Sequence, residues 1–282
     1  MRVGITILTD EPWSTTRSRW QRAEQLGFDH AWTYDHLVWE GLRESDWYGA
    51  MPVLSAAAAV TSRIGLGLHV TSPNFRHPAA FIREVLAVDD ISDGRFLIGA
   101  GVGGNLDART LGVDLPLKER VARFDEFSRL LRRLLDEDHV SFEGTYFTAV
   151  DARTRPGASR VPLLIAANAP RNLRLAAQIG DGWVTYGKKS EQDEDWWRSV
   201  AELSSQLDDL GVGPDFQRHL SVDIQRYALT SVAYFEEVLG RAGDLGFTDV
   251  VTHWPRADGP YAGSEDVLDA VAAQILSRAE PI

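Results

Sequence analysis

Apolar positions along the chain fall into two alternating kinds of run. Short, nearly continuous stretches occupy 3–8 (VGITIL), 31–34 (AWTY), 64–70 (IGLGLHV), 95–101 (RFLIGAG), 161–166, 182–186, 220–224 and 248–253. They lack the strict alternation of a sheet wetted on one face, so they read as parallel strands covered on both sides. Longer amphipathic segments separate them. The first predicted helix is capped by Ser14 or Thr15 and runs through Leu26; the others cover 52–62, 78–92, 117–136, 171–179, 191–210, 230–242 and 264–278. Pro52 and Pro78 sit in first turns, where a missing N–H costs nothing. Gly27, Gly180, Gly211 and either Gly243 or Gly246 stand where left-handed C-caps are expected. Eight strands alternating with eight helices require a parallel sheet with crossover helices. That count in 282 residues predicts an α/β fold, a closed (β/α)8 TIM barrel forming one domain over 1–282. Two stretches, 36–51 and 137–160, are irregular. Within the second, VSFEGTYFTAV reads as a hairpin turning at Glu143-Gly144.

Composition narrows the function classes. A formal net charge of −12 opposes a nucleic-acid partner, whose phosphates would repel it. The absence of cysteine removes disulfides, thiolate metal sites and a cysteine nucleophile. The first apolar run is about six residues, too short for a signal-peptide core or a membrane span, so a cytoplasmic protein without a membrane partner is expected. Tryptophan is abundant, with nine residues, several of them near predicted strand ends. They either pack the core and rim or line an aromatic pocket.

In such a barrel the chemistry sits where strands end at their C-terminal side. Asp35-His36 follows the second strand, and a histidine there can exchange protons near neutrality. Adjacent strand residues point opposite ways, so Asp35 need not pair with His36; capping by Asp35 and a structural His36 is the alternative. His69, Val70 and Thr71 end the third strand. GAGVGGN ends the fourth, with glycines at 99, 101, 103 and 104. Those positions do not match the dinucleotide G-x-G-x-x-G spacing, and no acid follows about 20 residues on. Gly101, Val102, Gly103, Gly104 and Asn105 instead suit close approach of backbone to a flat ring or a phosphate. Ala166, Ala167, Asn168 and Ala169 lead into a helix whose first N–H groups form an anion site. Arg171, in its first turn, answers either a phosphate or a surface carboxylate. The remaining strand ends place Tyr186, His253 and Trp254 at the mouth. These join Trp39 as the expected lining of a substrate pocket, with Trp47, Tyr48 and Tyr261 on the rim. No histidines show the i, i+4 spacing of a helical zinc motif, and no metal site is expected.

Several of these motifs together resemble the luciferase-like monooxygenase family. They are Arg76-His77-Pro78, Ser92-Asp93-Gly94-Arg95, Ile98-Gly99-Ala100-Gly101 and the later AANAPR…AAQIGDGW. The likeness extends over essentially the whole chain. It implies a flavin or deazaflavin at the mouth, with His36 and Asp35 near the reacting ring and a non-proline cis peptide at His69-Val70 behind it. It also implies Gly101–Asn105 beside the ring and ribityl chain, and Ala166–Ala169 with Arg171 at the phosphate. The Asp-His pair resembles the F420-dependent branch, which implies hydride transfer between coenzyme F420 and a small, partly apolar organic substrate. Gly104 stands where sugar-phosphate dehydrogenases of that branch carry a glutamate, which argues against a phosphorylated sugar. Two alternatives stay open at this point. One is a two-component monooxygenase using FMNH2 from a separate flavin reductase, with O2. The other is a non-catalytic flavin-binding barrel. Family members are commonly homodimers, and the apolar helices 52–62 and 78–92 would suit a partner.

Overall fold

The computed structural model describes residues 1–155 and 161–278; positions 156–160, the end of the second irregular stretch, lie outside the described residues. Its elements run β1 (Arg2–Thr6), α1 (Trp13–Gln25), β2 (His30–Thr33), α2 (Ala50–Val60), β3 (Gly65–Thr71), α3 (Pro78–Ile91), β4 (Phe96–Ala100), α4 (Asn105–Thr110) and α5 (Leu117–Asp136). There follow β5 (Val140–Glu143), β6 (Thr148–Ala152), β7 (Leu163–Ala166), α6 (Pro170–Ile179), β8 (Gly182–Thr185), α7 (Asp193–Asp208), β9 (Gln217–Ser221), α8 (Val232–Asp244), β10 (Asp249–His253) and α9 (Glu265–Gln274). Eight strands close into a barrel in the order β1-β10-β9-β8-β7-β4-β3-β2, each neighbouring pair parallel. The predicted (β/α)8 fold is therefore the observed one. β5 and β6 form the expected antiparallel hairpin beside α5.

Two apolar clusters hold the barrel. A large one fills the layer between strands and helices. A small one fills the lumen, where Trp32, Leu164, Val184 and Val251 pack with Leu97 and Ala166. The alternation of strand side chains produces this division: one parity of each strand points to the helices and the other to the axis. The indole of Trp32 also accounts for a glycine. A Cβ on Gly67, its register partner on β3, would lie 2.3 Å from the Trp32 ring.

The family-like motifs have local mechanical roles. The ring of His77 accepts the Ala79 N–H and caps α3, while Pro78 takes the first helical position. Arg95 lays its guanidinium over the end of α2, donating to the carbonyls of Ala58, Thr61 and Ile64. That satisfies carbonyls a helix end leaves orphaned.

Some boundaries differ from the sequence expectation. Pro12, not Ser14 or Thr15, occupies the N-cap of α1, and no side chain caps it. Gly27, Gly211 and Gly246 are left-handed as expected, but Gly180 is extended and Gly243 lies within α8. The seventh barrel strand begins at Gln217 rather than at 220. Its first residues are polar because Gln217 and His219 face a hydrogen-bonded lumen, which hides the strand from a hydrophobic pattern. The short helix α4 adds an element outside the eight predicted helices. Among the described residues, no helix is long and apolar enough to cross a membrane.

Candidate active site

Asp35 and His36 follow β2 directly, and the structure sends them to different partners. Asp35 is buried at 2% exposure. Its carboxylate accepts Arg76 Nε at 2.5 Å, Arg76 Nη2 at 2.9 Å and the Thr71 hydroxyl at 2.6 Å. It thus ties the ends of β2 and β3 to the start of α3 and does not touch His36. Asp35 and His36 are thus not paired with each other, as the sequence allowed, and the hydroxyl of Thr71 is likewise committed to Asp35. The physical reason is that both follow the end of β2, where the chain leaves the sheet and each side chain meets a different neighbouring element.

His36 has a different carboxylate. Its Nδ1 lies 2.7 Å from Asp107 Oδ2, while Asp107 Oδ1 accepts the backbone N–H of Leu37 at 2.8 Å and of Val38 at 3.2 Å. Asp107 sits in the first turn of α4 and is 1% exposed. An acceptor at Nδ1 assigns the proton to that nitrogen and leaves Nε2 as the free one. The His36 backbone carbonyl accepts the Trp47 indole N–H, and the rings of Tyr34 and Trp47 stand edge-on to the imidazole. Sequence reasoning missed Asp107; the signal was an acid in the first turn after a glycine-rich loop.

The floor of the mouth comes from β3, β4 and β7. The His69-Val70 peptide is cis, and the β3–β4 register shifts there. Val70 packs against β4 where side chains on Gly99 and Gly101 would otherwise stand. A Cβ on Gly101 would lie 2.7 Å from Val70 Cγ2 and 3.3 Å from the Ala166 methyl. Glycine at 101 is thus required by the fold, and Val70, Gly101 and Ala166 pack closely together as apolar surface. Beside it, His69 Nε2 is buried and has no hydrogen-bond partner among the described residues. A close-packed apolar floor and an unsatisfied buried nitrogen on the same strand suit a heterocyclic ligand.

The glycine loop continues from the end of β4. The carbonyls of Gly103 and Gly104 accept from Arg120 and Asn74, and nothing lies within 4 Å of a Cβ placed on Gly104. Val102 packs on the core, and Asn105 donates its amide to Asp114. On the other side, the Ala167 carbonyl accepts the Trp183 indole and Asn168 Oδ1 accepts the Thr185 hydroxyl. Ala169 is the N-cap of α6 and offers no side-chain cap. The first N–H groups of α6, with exposed Arg171 and no acid in the turn, form an anion-accepting end.

Of the expected pocket residues, two come together. Trp39 packs on Tyr34, Trp47 and Tyr261, and the His253 ring stacks on Tyr261 with centroids 3.6 Å apart. Tyr186 is exposed just past the end of β8, and its carbonyl accepts the Trp196 indole N–H. Trp254 does not join the mouth. It points into the helix layer, donates to Glu265 and lies under the Arg22 guanidinium, because it follows inward-facing His253 by one residue. Tyr34 and Asp223, which hold His253, were not anticipated from sequence.

Deeper in the lumen, below Trp32, lies a second polar layer. Asp249 accepts from Arg2 and from His30 Nε2, and His30 Nδ1 accepts the Trp32 indole. His30, His219 and Asp249 hold one ligand-type atom each within 4.8 Å of one another, although Asp249 is answered by Arg2 and His30. Burial pushes both His69 and His219 down to about 3. In the unfolded chain such histidines titrate near about 6.5. Below that pH the unfolded state binds protons that the native state refuses, so stability falls as pH falls through this window. Between about pH 6.5 and 5, each histidine contributes a slope approaching about 1.4 kcal/mol per pH unit. Urea midpoints across that range should show it, and His219→Asn should flatten it. An unchanged slope in the variant would refute the assignment.

The profile of the luciferase-like monooxygenase family matches residues 1–270. The chain belongs to that family. It is 39% identical over 176 residues to an F420-dependent glucose-6-phosphate dehydrogenase of Beutenbergia cavernae, covering 60% of this chain and 52% of that one. It is 27% identical over 245 residues to a 5,10-methylenetetrahydromethanopterin reductase of Methanopyrus kandleri, covering 81% and 65%. The chain spans about half the length of the dehydrogenases it matches. Among solved structures, an F420-dependent secondary alcohol dehydrogenase in complex with an F420-acetone adduct superposes with a TM-score of 0.81 at 16% identity over 99% of both chains. A monooxygenase from Streptomyces bottropensis superposes with a TM-score of 0.74 at 21% identity over 98% of both. At these identities the structural likeness speaks for the fold.

Proposed function

We propose that this protein is an F420-dependent oxidoreductase acting on a small, partly apolar organic substrate. The observation that carries this is the His36–Asp107 couple after β2, at the same end of the barrel as the closely packed Val70, Gly101 and Ala166 of β3, β4 and β7. The names of the relatives at 27–39% identity support the choice of F420 over FMN. Gly104, open and without an acid, supports a substrate other than a sugar phosphate.

Coenzyme F420 supplies, when bound, a carbon centre that accepts or gives a hydride. The chain's own residues do the rest. The backbone of 101–105 and the floor would hold the ring, and the α6 start with Arg171 would hold the phosphate. His36 Nε2 donates or accepts a proton at the reacting centre, and Asp107 favours the imidazolium form that proton transfer creates. Trp39, Trp47 and Tyr261 enclose the mouth with apolar surface and keep bulk water out. The proposal includes a homodimer packed through α2 and α3. Titrating the purified protein with F420 and with FMN tests the cofactor choice through quenching of cofactor fluorescence. Saturable quenching of F420 is expected; tight FMN binding with no F420 binding would overturn the assignment in favour of a reductase-fed monooxygenase.

A further inference from the structure

A second hydrogen-bonded chain enters the mouth from the side of β10, independent of His36. It starts at buried Asp223, just past β9. The Asp223 carboxylate accepts the backbone N–H of Ala228 and of His253, each at 2.8 Å, and the Thr252 hydroxyl at 3.0 Å. It also takes His253 Nδ1 at 2.7 Å. A carboxylate so placed is an acceptor, so Nδ1 of His253 carries the proton and Nε2 accepts. The partner of Nε2 is the Tyr34 hydroxyl at 2.7 Å, and Tyr34 in turn lies 3.1 Å from the Tyr261 hydroxyl. Tyr261 stacks flat on His253, the planes only 6° apart. Its backbone is left-handed at φ 64°, and the loop carrying it is pinned by the Arg256–Tyr261 backbone bond and the Arg256–Asp10 ion pair.

The chain has a direction. With neutral His253, every donor points inward: Tyr261 to Tyr34, Tyr34 to His253, His253 to Asp223. A proton placed on His253 Nε2 reverses both hydroxyls, and Tyr261 then presents an O–H to the mouth. We infer that Asp223, His253, Tyr34 and Tyr261 form a proton relay serving the substrate's oxygen, with the Tyr261 hydroxyl as the group that touches substrate and His253 as the proton store. This rests on the oxidoreductase reading only in that substrate occupies the mouth. For oxidation of a secondary-alcohol-type substrate, the C–H bond breaks with its electron pair, which leaves as hydride to F420. The O–H proton passes to Tyr261, the Tyr261 proton to Tyr34 and the Tyr34 proton to His253 Nε2. The product is a carbonyl accepting a hydrogen bond from Tyr261. His36 and Asp107 remain for the proton that the reduced cofactor takes up.

The surroundings suit neutral relays. Burial pushes the Tyr261 phenol up to about 12, and burial with the neighbouring Tyr261 raises Tyr34 as well. The other groups facing His253 do not carry its proton. Tyr227 donates to its backbone carbonyl, and His69 on β3 is held neutral, pushed down to about 3. Arg256 is paired with Asp10.

The test is 15N NMR of the histidines in the cofactor-free protein, with wild type, Tyr34→Phe and Tyr261→Phe compared. Wild type should show His253 as the Nδ1–H tautomer when neutral. Tyr34→Phe should move the His253 Nε2 signal away from its hydrogen-bonded position while leaving the signals of His36 in place. In turnover, Tyr261→Phe should lower kcat by about 10- to 100-fold with F420 binding unchanged, and Tyr34→Phe should shift one limb of the kcat/KM pH profile in step with the NMR shift. An Nε2–H tautomer in wild type, or a His253 Nε2 signal and pH profile both untouched by Tyr34→Phe, would overturn the relay. A protein that fails to bind F420 yet shows the coupled His253–Tyr34 signals would overturn the cofactor assignment alone.

Discussion

Replacing His36 with alanine is expected to lower turnover by roughly 10²–10⁴-fold, the range general acid–base catalysis supplies. The expectation comes from the geometry around the imidazole. Asp107 fixes Nδ1 as the protonated nitrogen and leaves Nε2 free, and the Trp47 indole anchors the same residue through its carbonyl. Removing the ring takes away the proton carrier without disturbing the floor at Val70 and Gly101, so F420 binding should change little. Asp107→Asn refines the test. Its side-chain oxygen can still accept the Leu37 and Val38 N–H groups, but a neutral amide no longer favours an imidazolium, and turnover should fall by an intermediate factor. Absorbance-followed hydride transfer, with cofactor affinity measured separately, separates the two effects. Retention of more than about a tenth of wild-type turnover in His36→Ala would exclude the residue from the chemistry.

Arg76→Ala should produce the largest loss of stability, about 3–5 kcal/mol, because it strands a buried charge. Arg76 is 12% exposed and Asp35 2%, and two nitrogens of the guanidinium meet both carboxylate oxygens. The guanidinium also lies over the Phe75 and Phe81 rings, and its contact to half-exposed Glu84 adds little. After the substitution, among the described residues, the Thr71 hydroxyl is the remaining side-chain donor to Asp35. Desolvation of an uncompensated carboxylate, not the lost attraction, is then the main penalty. Adding Asp35→Asn should therefore restore a large part of the loss, since the stranded charge disappears. Urea denaturation of the two single variants and the double variant closes this cycle. A loss below about 1 kcal/mol in Arg76→Ala would place the pair among ordinary surface bridges.

The same two residues show how far a sequence reaches. Eight nearly continuous apolar runs, separated by helical ones and bounded by Pro78, Gly27 and Gly211, sufficed to predict the barrel. Those signals are local: burial on both faces, a fixed φ and a left-handed turn each act within a few residues. The place of the mouth followed, since strand ends define it, and with it His36, Gly101 and His253. Polar lumen residues obscured the start of β9, because Gln217 and His219 are buried by pairing across the barrel and not by being apolar. Which carboxylate serves which partner belonged to the tertiary structure alone. Asp35 lies next to His36 in sequence, yet it answers Arg76, 41 residues away, while His36 meets Asp107, 71 residues away. His253 finds Asp223 and Tyr34 in the same manner, and Trp254 beside it leaves the mouth altogether. The reason is geometric. Where a strand ends, neighbours in sequence meet different elements, and closure of the barrel brings together groups that no local pattern relates.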